Sequence, residues 1–138
     1  MPRDHRPAAL AAPVRRRLVA AAAKARLAAY APYSRFKVGA ALLAGDGRIF
    51  AGCNVENAAS ANGICAEQAA LARAVAEGAR SFDALAVVTG PRHPAAPCGR
   101  CRQVLLEFGG RLRVIMTTTG GSREEATLAD LLPHPFRR

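Results

Sequence analysis

Phe82-Asp83-Ala84-Leu85-Ala86-Val87-Val88-Thr89 is a near-continuous apolar run ended by Gly90. Such a run reads as a central strand covered on both faces. On its C-terminal side, 90–97 contains three prolines and reads as an ordered loop. A helix over 98–108 follows, stopped by Gly109-Gly110, then a strand over 112–117. Gly120-Gly121 turns the chain into a short strand near 125–127, and 128–132 is a last helical turn before Pro133. On the N-terminal side, 65–77 is a helix closed by Gly78, and 54–63 is a loop of small and polar residues. Before it, strands 36–43 and 48–53 form a hairpin about Gly45-Asp46-Gly47. The first helix opens at Pro13 and stops near Tyr30, because Pro32 bars its predecessor from helical geometry. The order α-β-β-α-β-α-β-β-α predicts an α/β fold of three layers, α-β-α, around a five-stranded mixed sheet.

A chain of 138 residues and 14.5 kDa reads as one domain over 1–138, with 1–12 a flexible N-terminal extension. No run of eighteen apolar residues exists, so a spanning helix is not expected. The Ala- and Arg-rich start superficially suits a transit peptide, but Arg15, Arg16 and Arg17 fall within the periodic pattern of the first helix. No apolar h-region with a cleavage site appears, and the composition suits the cytoplasm. The net charge of +10 raises nucleic acid as a partner. Aromatics are only 5% of the chain with no Trp, and the basic residues are scattered, which disfavours stacking on single strands. A solvated basic surface is the plainer reading.

The chemistry gathers at Cys65-Ala66-Glu67 and Pro97-Cys98-Gly99-Arg100-Cys101. Cys65, Cys98 and Cys101 supply three thiols, enough to hold one metal ion and leave a fourth position open. Cys98 and Cys101 project from one face of one helical turn and can bite a single ion. Both clusters fall at helix N-termini, where unpaired N–H groups favour thiolate. Tetrahedral sulfur ligation without redox chemistry points to Zn2+. Glu67, two residues past the first ligand, can move protons at water in the open position. His5, His93 and His134 lie in terminal or Pro-bracketed segments and read as surface residues; Cys53, at a strand end, reads as a small buried residue.

With Tyr33 to Ala41, Gly52 to Ala58, Pro97 to Leu106 and Leu131-Leu132-Pro133 added, the chain resembles the small, homotetrameric, zinc-dependent cytidine deaminases from about Ala29 to Phe136. The resemblance implies a hydrolase of nucleoside metabolism, acting in pyrimidine salvage. It would convert cytidine or 2′-deoxycytidine to uridine or 2′-deoxyuridine with release of ammonia. It further implies that Asn54 and Glu56 contact the ribose, Phe36 packs on the base, Ala66 offers its backbone, and Tyr33 lines the pocket. Phe136 would come from a neighbouring subunit, so that active sites are shared within the tetramer. No membrane is implied, and nucleic acid is not the expected partner.

The chain departs from its relatives at three places. Gln68 stands where they commonly have Arg, while Arg102 matches a family Arg and Arg100 replaces Ala. Three thiolates and a hydroxide on one divalent ion leave a formal charge of about −2, so a missing cation beside them matters. Ala59 to Gly63 replaces a segment in which relatives often carry Tyr at position 60, which widens the rim toward N4-substituted cytidines. Pro97 to Leu106 and Asp46 to Phe50 also resemble blasticidin S deaminase, but that relative lacks the Asn54-Val55-Glu56-Asn57 motif. A deaminase of bulkier cytosine nucleosides is therefore the alternative, with a polynucleotide deaminase behind it. A zinc-stabilised nucleic-acid-binding module leaves Glu67 without a task.

Overall fold

A computed structural model describes residues 9–138. Residues 1–8, which carry His5 and most of the expected N-terminal extension, lie outside the described residues. The elements run α1 (Ala12–Arg26), β1 (Gly39–Ala44), β2 (Ile49–Cys53), a one-turn 3-10 helix (Ser60–Asn62), α2 (Ala66–Ala76), β3 (Phe82–Thr89), α3 (Gly99–Leu106), β4 (Arg113–Thr118), β5 (Arg123–Thr127) and α4 (Leu128–Leu131). The sheet order is β2-β1-β3-β4-β5, with β3 and β4 parallel and the other neighbours antiparallel. This is the five-stranded mixed sheet that the element order implied.

The alternation along β3 divides two cores. Leu85 and Val87 join Leu42, Ala70, Leu71, Leu105, Val114 and Leu128 on the face covered by α2 and α3. Ala84, Ala86 and Val88 join Leu18, Ala22, Ala41 and Ile115 on the α1 face. Both faces exclude water, which is why the run over 82–89 is apolar almost without interruption. Leu10 also packs against the α1 core, so the ordered packing begins before the first helix.

Two glycines set how closely the helices approach. A Cβ on Gly39 would meet the Ala22 carbonyl oxygen at 1.9 Å and the Arg26 nitrogen at 2.6 Å. One on Gly52 would meet the Ala70 nitrogen at 2.5 Å. Backbone atoms cannot yield as a side-chain tip can, so α1 sits against β1 and α2 against β2 only because these positions lack side chains.

Differences from the expected boundaries have local causes. The first helix ends at Arg26, and 27–29 continue as tightening turns, with Leu27, Ala28 and Ala29 N–H bonding the carbonyls three residues back. The first strand begins at Gly39 instead of 36. The Asn54 side chain occupies the backbone there, its Oδ1 accepting from Val38 N–H and its Nδ2 donating to the Phe36 carbonyl, each at 2.8 Å. The loop over 54–63 includes the 3-10 turn, and isolated bridges join Val55 to Tyr30 and to Ile64. Among the described residues, no helix is long and apolar enough to cross a membrane.

Candidate active site

Cys65 is the N-cap of α2 and Cys98 the N-cap of α3, while Cys101 lies one turn into α3. The chain thus aims two helix starts at one point. The Cys65 and Cys98 sulfurs are 3.9 Å apart and those of Cys98 and Cys101 3.4 Å apart. All three lie within 4.8 Å of one another. A tetrahedral ion with metal–sulfur bonds of ~2.3 Å needs sulfurs roughly 3.8 Å apart, so the observed spacings bracket what zinc requires.

Electrostatics also favours a cation there. Burial pushes the Cys65 thiol up, and the neighbouring Cys98 and Glu67 charges push it further. Burial raises Cys101 strongly, reinforced by Glu67. At Cys98 burial also acts upward, but bonds from the Cys101 backbone N–H and the neighbouring thiols prevail and leave it lowered. The expectation that both helix starts acidify their thiols therefore holds at Cys98 alone. At the other two, desolvation and crowding of anionic groups outweigh the helix dipole, and a divalent cation is what reconciles three thiolates with a carboxylate.

Glu67 follows Cys65 by two residues in the first turn of α2 and is only 5% exposed. Burial raises its carboxyl above the usual range, against opposing bonds from Cys101 and its own backbone. Gln68 donates from Nε2 to the Cys101 sulfur at 3.6 Å. It is an uncharged donor turned toward the cluster. Arg102 does not share that work. Its Nε donates to the Pro97 carbonyl at 2.7 Å and its Nη1 to the Leu131 carbonyl, so it ties the α3 start to α4.

A cavity of about 600 Å³ opens above Cys65, Ala66, Glu67 and Cys98. Tyr33, Phe36, Asn54 and Glu56 line it as well. Glu56 is held by the segment before β1. Tyr33 N–H donates to its Oε1 at 2.9 Å and Ser34 N–H at 3.1 Å, while the Ser34 hydroxyl donates to Oε2. The same hydroxyl oxygen accepts from Phe36 N–H at 2.9 Å. Ser34 thus joins the Glu56 carboxylate to the Phe36 backbone. These bonds, the Ser34 hydroxyl's first, hold the Glu56 carboxyl below its usual range.

Phe136 is not brought to this cavity. It is 74% exposed, and its carbonyl accepts from Gln103. Sequence reasoning overlooked Ser34, the floor residue Val87, and Ala95 and Ala96 of the loop before α3, all of which line the cavity. Ser34 alone left a signal, a hydroxyl two residues before Phe36 in a segment rich in turn-forming residues.

A sequence model of the cytidine and deoxycytidylate deaminase zinc-binding region matches residues 13–118. The chain is 52% identical over 123 residues to a cytidine deaminase of Sporosarcina psychrophila, an alignment spanning 88% of this chain and 90% of the relative. It is 47% identical over 115 residues to one of Mycobacterium tuberculosis, spanning 83% and 84%. The crystal structure of cytidine deaminase from Burkholderia pseudomallei shares the fold with a TM-score of 0.84 at 50% identity, covering 88% of this chain and 98% of that one. A match over most of the sequence, a shared fold and a three-thiol cluster of zinc dimensions agree, and the chain belongs to the zinc-binding cytidine and deoxycytidylate deaminase family.

Proposed function

We propose that this protein hydrolyses cytidine and 2′-deoxycytidine to uridine and 2′-deoxyuridine with release of ammonia, holding one zinc ion per subunit on Cys65, Cys98 and Cys101. The observation that carries this reading is the buried Glu67 beside the thiol cluster, at the floor of a cavity whose wall bears Glu56, Asn54 and Phe36. A zinc ion held by Cys65, Cys98 and Cys101 would supply Lewis acidity at its open position and make water there easier to deprotonate.

Glu67 takes a proton from the attacking water as the water oxygen adds to C4 of the pyrimidine, and passes that proton to N3. The same carboxyl then takes the proton of the new C4 hydroxyl and delivers it to the amine, so that the C4–N bond breaks, the C4 carbonyl forms and ammonia departs neutral. Burial raises this carboxyl above its usual range, which suits a group that must hold a proton between the two steps. Phe36 packs on the base, and the Ala66 backbone at the start of α2 meets the base edge. Glu56 and Asn54 face the ribose, with Tyr33 at the rim. Three bonds already fix the Glu56 carboxylate, leaving acceptor capacity for a hydroxyl without freedom to turn away.

The active unit is a homotetramer in which Phe136 closes a neighbour's cavity. Tyr30, Val55 and Ile64, adjacent through their bridges, are all exposed, as are Tyr33 and Phe36 at the same mouth. Apolar side chains gathered around a pocket mouth suit a subunit contact. The four free cysteines suit a reducing compartment such as the cytoplasm. The test is loss of ultraviolet absorbance on cytidine with the native protein and with Glu67→Gln, alongside zinc analysis. Activity abolished with zinc retained supports the assigned roles; equal turnover in both proteins rejects them.

A further inference from the structure

A second cavity, of about 350 Å³, lies between the end of α1, the segment leading into β1 and the loop after β3. Its charged lining comes from Arg26, Arg35, Lys37 and Arg92, with His93 beside them, and no acidic residue contributes to it. Among the described residues, none of these four cations is in an ion pair with a carboxylate; the ion pairs involve Arg15, Arg48, Arg73, Arg113 and Arg123. Four like charges around one concavity repel, and a bound anion relieves that repulsion.

The backbone organises these cations. Arg26 is half-buried, its Nε donating to the Lys37 carbonyl at 3.0 Å. That bond directs the guanidinium across Gly90, where one terminal nitrogen lies 3.4 Å from the position a Cβ would take. Glycine at position 90 keeps the space in front of the guanidinium open. Arg35 has φ of 59°, a left-handed conformation uncommon for a long side chain, and its N–H bonds the Ala31 carbonyl at 2.9 Å. The strained position holds arginine where glycine or asparagine would sit more easily, and a charge needed at that point is a reason to keep it.

We propose that this cavity is a phosphate-binding subsite. Fixed guanidinium groups match phosphate oxygens in charge and in donor geometry. Phe36 lines both cavities, so an occupant here stands beside the active site. The phosphate can belong to a cytosine nucleotide whose base lies in the neighbouring cavity, or it can be a free phosphoryl anion. The nucleotide arm rests on the proposed deaminase reading, whereas phosphate binding itself does not depend on turnover.

The experiment is calorimetric titration of the zinc-loaded protein with inorganic phosphate at constant ionic strength, which removes general screening. Two variants are compared with the native chain. Arg35→Asn removes a charge while suiting the left-handed backbone, and Arg92→Gln alters only the exposed loop. Saturable binding by the native protein, weakened about 10-fold or more when both substitutions are combined, is expected. Deamination of cytidine 5′-monophosphate that falls in the variants, with cytidine turnover unchanged in Arg92→Gln, assigns the subsite to a substrate phosphate. Phosphate binding without that effect assigns it to a free anion. No saturable binding by the native protein, or binding by the doubly substituted chain as tight as the native protein's, overturns the proposal.

Discussion

The two ends of the main cavity are built on opposite terms. At the floor, Ala66 is 1% exposed and Glu67 5%, and Cys101 is fully buried behind them. At the rim, Phe36 is 50% exposed, Tyr33 62% and Phe136, outside the cavity altogether, 74%. The floor is assembled by two helix starts of one chain pressed onto the sheet, with Gly52 letting α2 approach. The rim is a set of short segments with apolar side chains left uncovered. On the proposed reading, chemistry is completed within a subunit while recognition awaits a neighbour. The sharpest test of that contrast is Glu67→Gln. Loss of a general acid–base group lowers turnover by about 10²- to 10⁴-fold, with subunit association and zinc content unchanged. A variant that also dissociates would show that floor and rim are not separable.

Phe136→Ala addresses the rim and has the next largest effect. An aromatic side chain that packs on bound substrate is worth roughly 1–3 kcal/mol, so KM rises about 5- to 150-fold. The zinc site lies elsewhere, and zinc content should hold. Mixing this variant with Glu67→Gln after dissociation and reassembly should restore part of the activity, because mixed sites then combine one subunit's Glu67 with another's Phe136. No recovery on mixing would place Phe136 in its own subunit's site, or in none.

The same contrast governs what was legible beforehand. The floor follows from spacing: Cys65, Glu67, Cys98 and Cys101 lie at helix starts that periodicity and glycine stops mark, and β3 coincides with its apolar run. Local rules suffice where the interacting residues share an element. The rim does not follow from such rules. Residues 36–38 look like strand, yet the Asn54 side chain takes the bonds a partner strand would make. Ser34 acquires its role only once 33–36 folds over Glu56, 22 residues along the chain. Arg102 looked like a cation for the thiolates, but its guanidinium reaches two carbonyls instead. The second cavity was hidden because its cations come from three separate segments, at 26, 35–37 and 92.

Ser34→Ala tests whether the rim is fixed from within the chain. It removes the hydroxyl that holds Glu56 and receives Phe36 N–H, so KM should rise several-fold while kcat at saturation changes little. The pH dependence gives the signature. Glu56 is held below its usual range, chiefly by Ser34, so its ionised form persists as pH falls and its contribution is lost only through the lowered folded value. Without the hydroxyl that loss moves to higher pH, and KM on the acid side begins to climb sooner. An unchanged acid limb of the KM profile would mean that Glu56 does not bind substrate as an anion.

Gln68→Arg has the smallest expected effect and returns to the floor. Gln68 gives the Cys101 sulfur one neutral hydrogen bond at 3.6 Å, in a cluster where burial and neighbouring charges resist thiolate formation. A guanidinium at this position adds a positive charge to the donor. Charge-assisted bonds are roughly twice as strong as neutral ones, a gain of about 1 kcal/mol, or near 5-fold. Zinc loss to a chelator should slow by about that factor. Arg102 turns its Nε and Nη1 to the Pro97 and Leu131 carbonyls, away from the Cys101 sulfur that Gln68 bonds. If neither zinc retention nor turnover changes, the absence of a cation at position 68 does not limit the cluster.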